Sequence, residues 1–91
     1  MSVIVYSKPS CPSCVNAKRK LKELNVDFEE KTLGVDVTPD ELFEIFDAKN
    51  LPRPRTAPQI FVNDKHVGGY EALLSYIEDT GFNGTGYSPG N

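Results

Sequence analysis

Cys11 and Cys14 lie between an apolar run and a helical pattern, and this arrangement constrains the fold more than any other feature of the chain. The apolar run, Val3–Tyr6, is rich in β-branched residues and predicts a central strand buried on both faces. Pro12 suits the first position of a helix, because its missing N–H costs nothing there and its φ is already helical. The sequence therefore predicts a strand, a turn and a helix whose N-cap is Cys11.

Two cysteines in this setting have the form of a thiol–disulfide site. A sulfur at a helix N-cap lies beside unpaired N–H groups and the positive end of the helix dipole, and both favour a thiolate. We therefore expect Cys11 to have a lowered pKa and to be the nucleophile. The apolar face of the helix runs from Cys14 through Ala17, Leu21 and Leu24. The sulfur of Cys14 should thus turn inward, where it can resolve a mixed disulfide on Cys11.

Other uses of the two cysteines stay open: two unrelated buried thiols, a structural disulfide, or half of a metal site. A closed zinc site needs four ligands, and the chain offers only the cysteines and a distant His66. We interpret His66 as an exposed hairpin residue and expect no metal within one chain. A metal site shared between two chains stays open.

Length and composition predict one small domain. The 91 residues suffice for a single core, and we assign the domain to residues 1–81 and a flexible tail to residues 82–91. Apolar residues, 38% of the chain, are too scattered for a membrane span, and no early segment resembles a secretion signal. A cytoplasmic protein is expected, in which a reducing environment favours catalytic cysteines. The net charge of −3 and the lack of a basic stripe argue against a nucleic-acid partner.

The remaining pattern predicts three more strands and two more helices. A strand over 26–32 follows the first helix and completes a βαβ unit, which implies a parallel pair with a right-handed crossover. Thr38 and Glu41 form a capping box at the start of a second helix, which we interpret as packing only. A hairpin over 59–67 and a third helix that ends at Gly81 complete the predicted domain.

Charged residues beside these elements suggest anion binding. Lys8 precedes Cys11 by three residues, where it either stabilises the thiolate and attracts an anionic substrate or is simply solvated. A proline-rich loop holds Arg53 and Arg55 before the third strand. In an acidic protein these arginines suggest an anion site, and a solubilising loop is the alternative.

Two backbone features also suggest a site. Pro58 opens the third strand, so it must lie at the edge of strand pairing or in a special turn, for which a cis peptide is one form. Gly68 and Gly69 precede the third helix, where they permit a ligand to approach the backbone and the helix N-terminus to attract a carboxylate. A tight strand-to-helix turn is the alternative.

The order of elements resembles the thioredoxin superfamily, and three motifs resemble the glutaredoxin family within it. The motifs are Lys8-Pro9-Ser10-Cys11-Pro12-Ser13-Cys14, Arg55-Thr56-Ala57-Pro58 and His66-Val67-Gly68-Gly69-Tyr70. The resemblance implies an α/β, thioredoxin-like fold in the order βαβ-α-ββα, with a four-stranded mixed sheet flanked by three helices. It implies the glutathione-dependent reduction of protein disulfides and of glutathione mixed disulfides.

The resemblance also implies roles for individual residues. Cys11 would attack and carry the glutathione mixed disulfide, and Cys14 would resolve mixed disulfides with proteins. Lys8 would pair with the glycine carboxylate of glutathione, with assistance from Arg55. The implied glutathione-binding residues are Lys8, Ser13, Arg55, Thr56, Ala57, Pro58, Gly69, Tyr70 and Glu71. The backbone of Thr56 and Ala57 would pair with glutathione like an added strand, and the turn at Tyr70 and Glu71 would hold its γ-glutamyl end.

The sequence departs from the family pattern at three positions. Ser13 stands where tyrosine is most frequent, Ala57 replaces the usual valine, and Ala72 stands where an aspartate commonly grips the γ-glutamyl amine. Glu71 is a candidate replacement for that aspartate. These changes bear on the affinity for glutathione and leave the reaction itself in place.

A second hypothesis is a glutaredoxin-like module that holds an iron–sulfur cluster between two chains through its first cysteine and glutathione. The small Ser13 leaves room for a cluster, whereas Pro12 and Cys14 favour redox work. For the redox reading we expect a monomer with no membrane partner. Its partners would be glutathione and disulfide-containing or glutathionylated proteins, with ribonucleotide reductase a usual client of the family.

Overall fold

A computed structural model of the chain describes residues 2–81 and contains four strands and three helices in that range. In chain order they are β1 (Val3–Ser7), α1 (Pro12–Glu23), β2 (Glu29–Thr32), α2 (Pro39–Ala48), β3 (Gln59–Val62), β4 (Lys65–Gly68) and α3 (Tyr70–Thr80). The tail predicted over 82–91 lies outside the described residues. Among the described residues no helix is long and apolar enough to cross a membrane.

The strands form one mixed sheet in the order β2-β1-β3-β4. β1 pairs in parallel with β2, to which it is connected through α1, and it pairs antiparallel with β3 on its other side. β3 and β4 form the expected hairpin, with Asn63 and Asp64 at positive φ in the turn. The α/β, thioredoxin-like fold predicted from the sequence is therefore confirmed, with β1 as a central strand.

β2 begins later than predicted. The strand expected over 26–32 pairs with β1 only from Glu29, which lies opposite Ile4. Val26 is buried because it closes the end of α1: its N–H donates to the Leu21 carbonyl at 2.9 Å, and Asn25 before it has a left-handed φ of 57°. This is a helix-ending Schellman motif with its usual apolar contact. Val26 is therefore buried because it closes the end of α1, and its apolar side chain does not indicate a strand.

Alternation along β1 and β3 divides the core between the two faces of the sheet. Val3 and Val5 point to the face covered by α1 and α3, whose Leu21 and Leu73 are fully buried. The opposite face carries Tyr6 and Phe61, against which α2 packs Leu42 and Phe46. The sheet thus forms the middle of three layers, and the turn after β1 lies at its edge.

α2 begins with the predicted capping box. The Thr38 N–H donates to Glu41 Oε1 at 2.8 Å, and the Glu41 N–H donates to Thr38 Oγ1 at 3.1 Å. Pro39 occupies the first helical position. Because both cap groups are paired, the start of α2 is fixed beside the loop that follows β2.

The expectation that His66 is exposed is wrong. Its side chain is half-buried, with ring centroids 5.2 Å from those of both Phe46 and Phe61. β4 lies at the sheet edge, but α2 covers the face to which His66 points. Burial lowers the pKa of His66 below its ordinary value, so the ring is neutral near pH 7.

Candidate active site

Cys11 is the N-cap of α1, as predicted. Its backbone is extended, Pro12 follows at the first helical position, and the Cys14 N–H donates to Cys11 Sγ at 3.2 Å. This hydrogen bond and the helix N-terminus both stabilise a negative charge on that sulfur. When reduced, Cys11 is therefore the sulfur that the fold prepares for attack.

The two cysteines form a disulfide with each other. Cys11 is 7% exposed and Cys14 is 2% exposed, so Cys11 is the more accessible residue of the pair. Cys14 belongs to the buried face of α1 with Ala17 and Leu21, as the spacing predicted. Cys11 Sγ also lies 3.5 Å from the Ala57 carbonyl oxygen, in the loop before β3. The approach to Cys11 is therefore narrow and bounded by that loop.

A small polar network ties α1 to the strands beneath the cysteine turn. Glu30 Oε2 accepts hydrogen bonds from Lys18 Nζ at 2.6 Å and from Ser7 Oγ at 2.7 Å. The Lys18 ammonium and then the Ser7 hydroxyl lower the pKa of Glu30. Ser7 is the last residue of β1 and is 1% exposed. The network links α1, β1 and β2 immediately before the chain enters the turn that carries Cys11.

The loop before β3 carries the other wall of the site. The Ala57–Pro58 peptide bond is cis, and Pro58 is fully buried. Gly68 has a φ of 122°, which favours glycine, and a Cβ there would stand 3.0 Å from the Cβ of Ala72. A Cβ on Gly69 would meet only an ordinary contact with the Pro58 carbonyl at 3.6 Å. Gly68 is thus required by the turn, whereas Gly69 lies where the turn meets the Pro58 loop.

Two cavities meet at Thr56 and Ala57. The first, which we call the Lys8 cavity, has a volume of about 140 Å³. It is lined by Lys8, Leu33, Pro39, Leu42, Phe43, Pro54, Arg55, Thr56 and Ala57. The second, the Gly69 cavity, has a volume of about 440 Å³. It is lined by Ser13, Thr56, Ala57, Pro58, Gly69, Tyr70, Glu71 and Ala72.

Every residue that the resemblance assigned to glutathione lines one of these cavities. Lys8 and Arg55 belong to the first cavity, and Thr56 and Ala57 belong to both. The other five residues line the second: Ser13, Pro58, Gly69, Tyr70 and Glu71. The structure therefore brings together residues from three distant motifs beside the cysteine pair. Their role in binding glutathione stays a prediction.

The two cavities differ in charge. Lys8 and Arg55 are exposed, and neither makes an ion pair within residues 2–81. Arg53, by contrast, bonds Asp47 through two nitrogens at 2.8 and 3.2 Å, and of the two loop arginines it is Arg55 that lines the Lys8 cavity. The Gly69 cavity contains the acidic Glu71, which lies in the first turn of α3. Gly69 is the N-cap of that helix and has no side chain to bond the first N–H groups of α3.

α2 contributes to the site and is not packing only, which corrects the sequence-based interpretation. Pro39, Leu42 and Phe43 form an apolar wall of the Lys8 cavity. The guanidinium of Arg53 lies over the Phe43 ring, 5.2 Å from its centroid. The only signal in the sequence is that Phe43 falls outside the inward face of α2, where an aromatic side chain has no core to fill.

No metal centre is formed by the described side chains: residues 2–81 hold no group of three or more His, Cys, Asp or Glu that could bind an ion.

The curated relatives of the chain include glutaredoxins and a hybrid peroxiredoxin. Glutaredoxin 1 of Rickettsia conorii is 43% identical over 73 residues, which is 80% of this chain and 69% of that protein. The glutaredoxin of Neisseria meningitidis serogroup A is 34% identical over 83 residues, 91% of this chain and 93% of its own length. The hybrid peroxiredoxin hyPrx5 of Haemophilus influenzae is 36% identical over 76 residues, and there the chain spans only 29% of the relative.

Solved structures have the same fold. Glutaredoxin 1 from Francisella tularensis, complexed with cacodylate, gives a TM-score of 0.67 at 30% identity and covers 86% of this chain and 93% of its own. A buckwheat glutaredoxin–glutathione complex gives a TM-score of 0.69, covers 85% of this chain and 68% of its own, and at 23% identity supports the fold alone.

The glutaredoxin family model matches residues 3–67, a range that contains both cysteines, the loop with Pro58 and three of the four strands in full. A thiol–disulfide oxidoreductase activity follows from that match and from the paired cysteines at the start of α1. The chain belongs to the glutaredoxin family.

Proposed function

We propose that the chain reduces protein disulfides and glutathione mixed disulfides with glutathione as the electron donor. The observation that carries the proposal is the position of Cys11 Sγ. It accepts a hydrogen bond from the Cys14 N–H and lies 3.5 Å from the carbonyl oxygen of Ala57, a residue that lines both cavities. A substrate sulfur joined to Cys11 would therefore have a cavity on either side.

Glutathione fits this arrangement by its charges. Its cysteine is flanked by a glycine carboxylate on one side and by a γ-glutamyl group with a carboxylate and an ammonium on the other. Lys8 and Arg55 in the Lys8 cavity suit the glycine carboxylate. In the Gly69 cavity, the N-terminus of α3 suits the second carboxylate and Glu71 suits the ammonium.

The reaction proceeds through two exchanges at the cysteine pair. The Cys11 thiolate attacks a sulfur of the substrate disulfide, and the other substrate sulfur leaves as a thiolate that takes up a proton. Cys14 then attacks Cys11 Sγ, releases the second substrate sulfur as a thiol and forms the Cys11–Cys14 disulfide seen in the structure. Two glutathione thiols restore the dithiol and leave as one glutathione disulfide, so two electrons move in each turnover.

With a glutathione mixed disulfide the first cysteine suffices. Cys11 attacks the glutathione sulfur, frees the protein thiol and carries glutathione itself, and a second glutathione then removes it as the disulfide. We place both activities in the cytoplasm, where glutathione is kept reduced. Ribonucleotide reductase, inferred from the resemblance, is our candidate among protein substrates, and no contact in the structure singles it out.

The direct test is a coupled assay that contains glutathione, glutathione reductase, NADPH and a glutathionylated peptide. We expect NADPH oxidation that depends on the chain and saturates with the mixed disulfide. Dithiothreitol without glutathione serves as the control for a general thiol-reducing activity. NADPH oxidation no faster than in the absence of the protein would contradict the proposed function.

Ala72→Asp should lower the KM for the glutathionylated peptide about threefold to tenfold. Ala72 lines the Gly69 cavity in the first turn of α3. A carboxylate at this position can bond the γ-glutamyl ammonium and is itself stabilised by the positive end of the helix dipole. A charge-assisted hydrogen bond contributes about 1.5–3 kcal/mol, which solvent reduces at this partly exposed position. Ala72→Asn is the matched uncharged control, and steady-state kinetics measure both. A KM unchanged in the aspartate variant would show that the ammonium does not bind here.

A further inference from the structure

Gln59 is a buried polar residue that the proposed chemistry leaves without a role. It opens β3, is 7% exposed and points to the face of the sheet that α2 covers. Its Nε2 donates to the Thr56 carbonyl at 3.0 Å, and its Oε1 lies 2.8 Å from His66 Nε2. Gln59 therefore bridges β4 and the loop that contacts Cys11.

The direction of each hydrogen bond is fixed by its partners. The Thr56 carbonyl can only accept, so the amide nitrogen of Gln59 must face it and Oε1 must face His66. His66 Nε2 consequently carries a hydrogen and donates to Oε1. The ring of His66 is held between Phe46 and Phe61, with centroids 5.2 Å away. Turning the Gln59 amide over would place Oε1 against the Thr56 carbonyl and lose that hydrogen bond.

The Thr56 carbonyl in turn fixes the peptide that follows it. A trans peptide is planar, and its C=O and N–H point in opposite directions. Among the described residues only Ala57–Pro58 is cis, so the Thr56–Ala57 peptide is trans. A Thr56 carbonyl held by Gln59 therefore directs the Ala57 N–H away from Gln59.

We infer that Gln59 and His66 are positioning residues that orient the Thr56–Ala57 peptide so that the Ala57 N–H pairs with the peptide backbone of the thiol substrate. This inference rests on the proposed function, because glutathione is the peptide thiol that would use that N–H. The pair would thus favour peptide thiols over small thiols that have no backbone. Neither residue touches a cysteine sulfur in the structure.

Two reductants separate this role from a merely structural one. In each case a thiolate attacks the Cys11–Cys14 disulfide. The fraction of opened disulfide is measured over time by acid quenching and mass spectrometry. Glutathione reductase and NADPH remove the glutathione disulfide that forms. For Gln59→Leu we expect the rate constant with glutathione to fall about tenfold. The rate constant with dithiothreitol, which has no peptide groups, should stay within about twofold.

A second pair of variants repeats the test with β3 unchanged, so the experiment does not depend on the folding of Gln59→Leu. His66→Phe keeps a ring between Phe46 and Phe61 and removes the donor, so it should behave like Gln59→Leu. His66→Gln restores an Nε2–H donor and should recover the glutathione rate to within about threefold. Lys49→Met is the matched control, because it removes an ion pair to Asp64 in the same hairpin and should leave both rates unchanged.

Equal slowing with glutathione and dithiothreitol, or an unchanged glutathione rate in both Gln59→Leu and His66→Phe, overturns the positioning role and leaves the proposed function standing. A wild-type chain that glutathione reduces no faster than 2-mercaptoethanol overturns the proposed function, and the inference with it. Selective slowing with glutathione that His66→Gln repairs supports the inference.

Discussion

Cys11→Ser should abolish every thiol–disulfide activity of the chain, lowering kcat/KM by about a thousandfold or more. Both exchanges in the proposed reaction form or break a bond to Cys11 Sγ. A serine hydroxyl is not ionised near neutral pH and forms no disulfide. Cys14 cannot replace it, because Cys14 is 2% exposed and belongs to the buried face of α1.

The fold should survive this substitution. Cys11 is the N-cap of α1, and serine is among the preferred N-cap residues, so its oxygen can accept the Cys14 N–H in place of the sulfur. Thermal unfolding under reducing conditions should therefore give a Tm close to that of the wild type. Val15→Ala is the control, since it changes an exposed residue in the first turn of α1 that lines neither cavity, and it keeps both cysteines.

The coupled assay with the glutathionylated peptide measures the loss. Activity of Cys11→Ser at more than about one hundredth of the wild-type level, in a folded sample, would mean that another group is the nucleophile. A large loss in Val15→Ala would instead indicate that the start of α1 is sensitive to any substitution.

The local features of the site were predictable because short-range rules decide them. Pro12 at the first helical position made Cys11 the N-cap, and the capping box of Thr38 and Glu41 marked the start of α2. The turn at Asn63 and Asp64 needs positive φ at both positions, which asparagine and aspartate tolerate better than most residues. In each case a few neighbouring residues determine the conformation.

The convergence of the three motifs required the order of the strands. β1 and β3 are antiparallel with Tyr6 opposite Gln59, so the end of β1 meets the start of β3. β3 and β4 are antiparallel with Ile60 opposite Gly68, so the end of β4 reaches the same edge of the sheet. The sequence shows the motifs but not these pairings. Their proximity was therefore implied only by the family resemblance, which supplied the topology.

The errors arose where long-range packing overrides a local pattern. Val26 looked like the start of a strand because it is apolar, but its burial comes from the cap of α1. His66 looked exposed because it lies in an edge hairpin, but α2 crosses that face and places Phe46 beside it. Phe43 gave no clear signal, because the Lys8 cavity exists only once α2 and the Pro58 loop are in place.

Cys14→Ser should separate the two activities that Cys11→Ser removes together. Reduction of protein disulfides should fall about a hundredfold or more, because the mixed disulfide on Cys11 would lose the neighbouring thiol that resolves it. That thiol acts within one molecule, at a Cα–Cα distance of 5.2 Å from Cys11, and free glutathione at millimolar concentration replaces it poorly. Removal of glutathione from mixed disulfides should stay within about fivefold of wild type, since Cys11 alone performs it.

The activation of Cys11 should be intact in Cys14→Ser, so a difference between the two activities would come from the loss of the resolving thiol alone. The hydrogen bond to Cys11 Sγ comes from the backbone N–H of residue 14 and does not depend on the cysteine side chain. Cys14→Ala, which has no hydroxyl, should give the same result. Parallel assays with a protein disulfide and a glutathionylated peptide measure the two activities, and non-reducing electrophoresis should show a covalent complex with the protein substrate. Equal loss of both activities would mean that Cys14 takes part in the attack on substrate, and the division of roles drawn from the burial of the two sulfurs would be wrong.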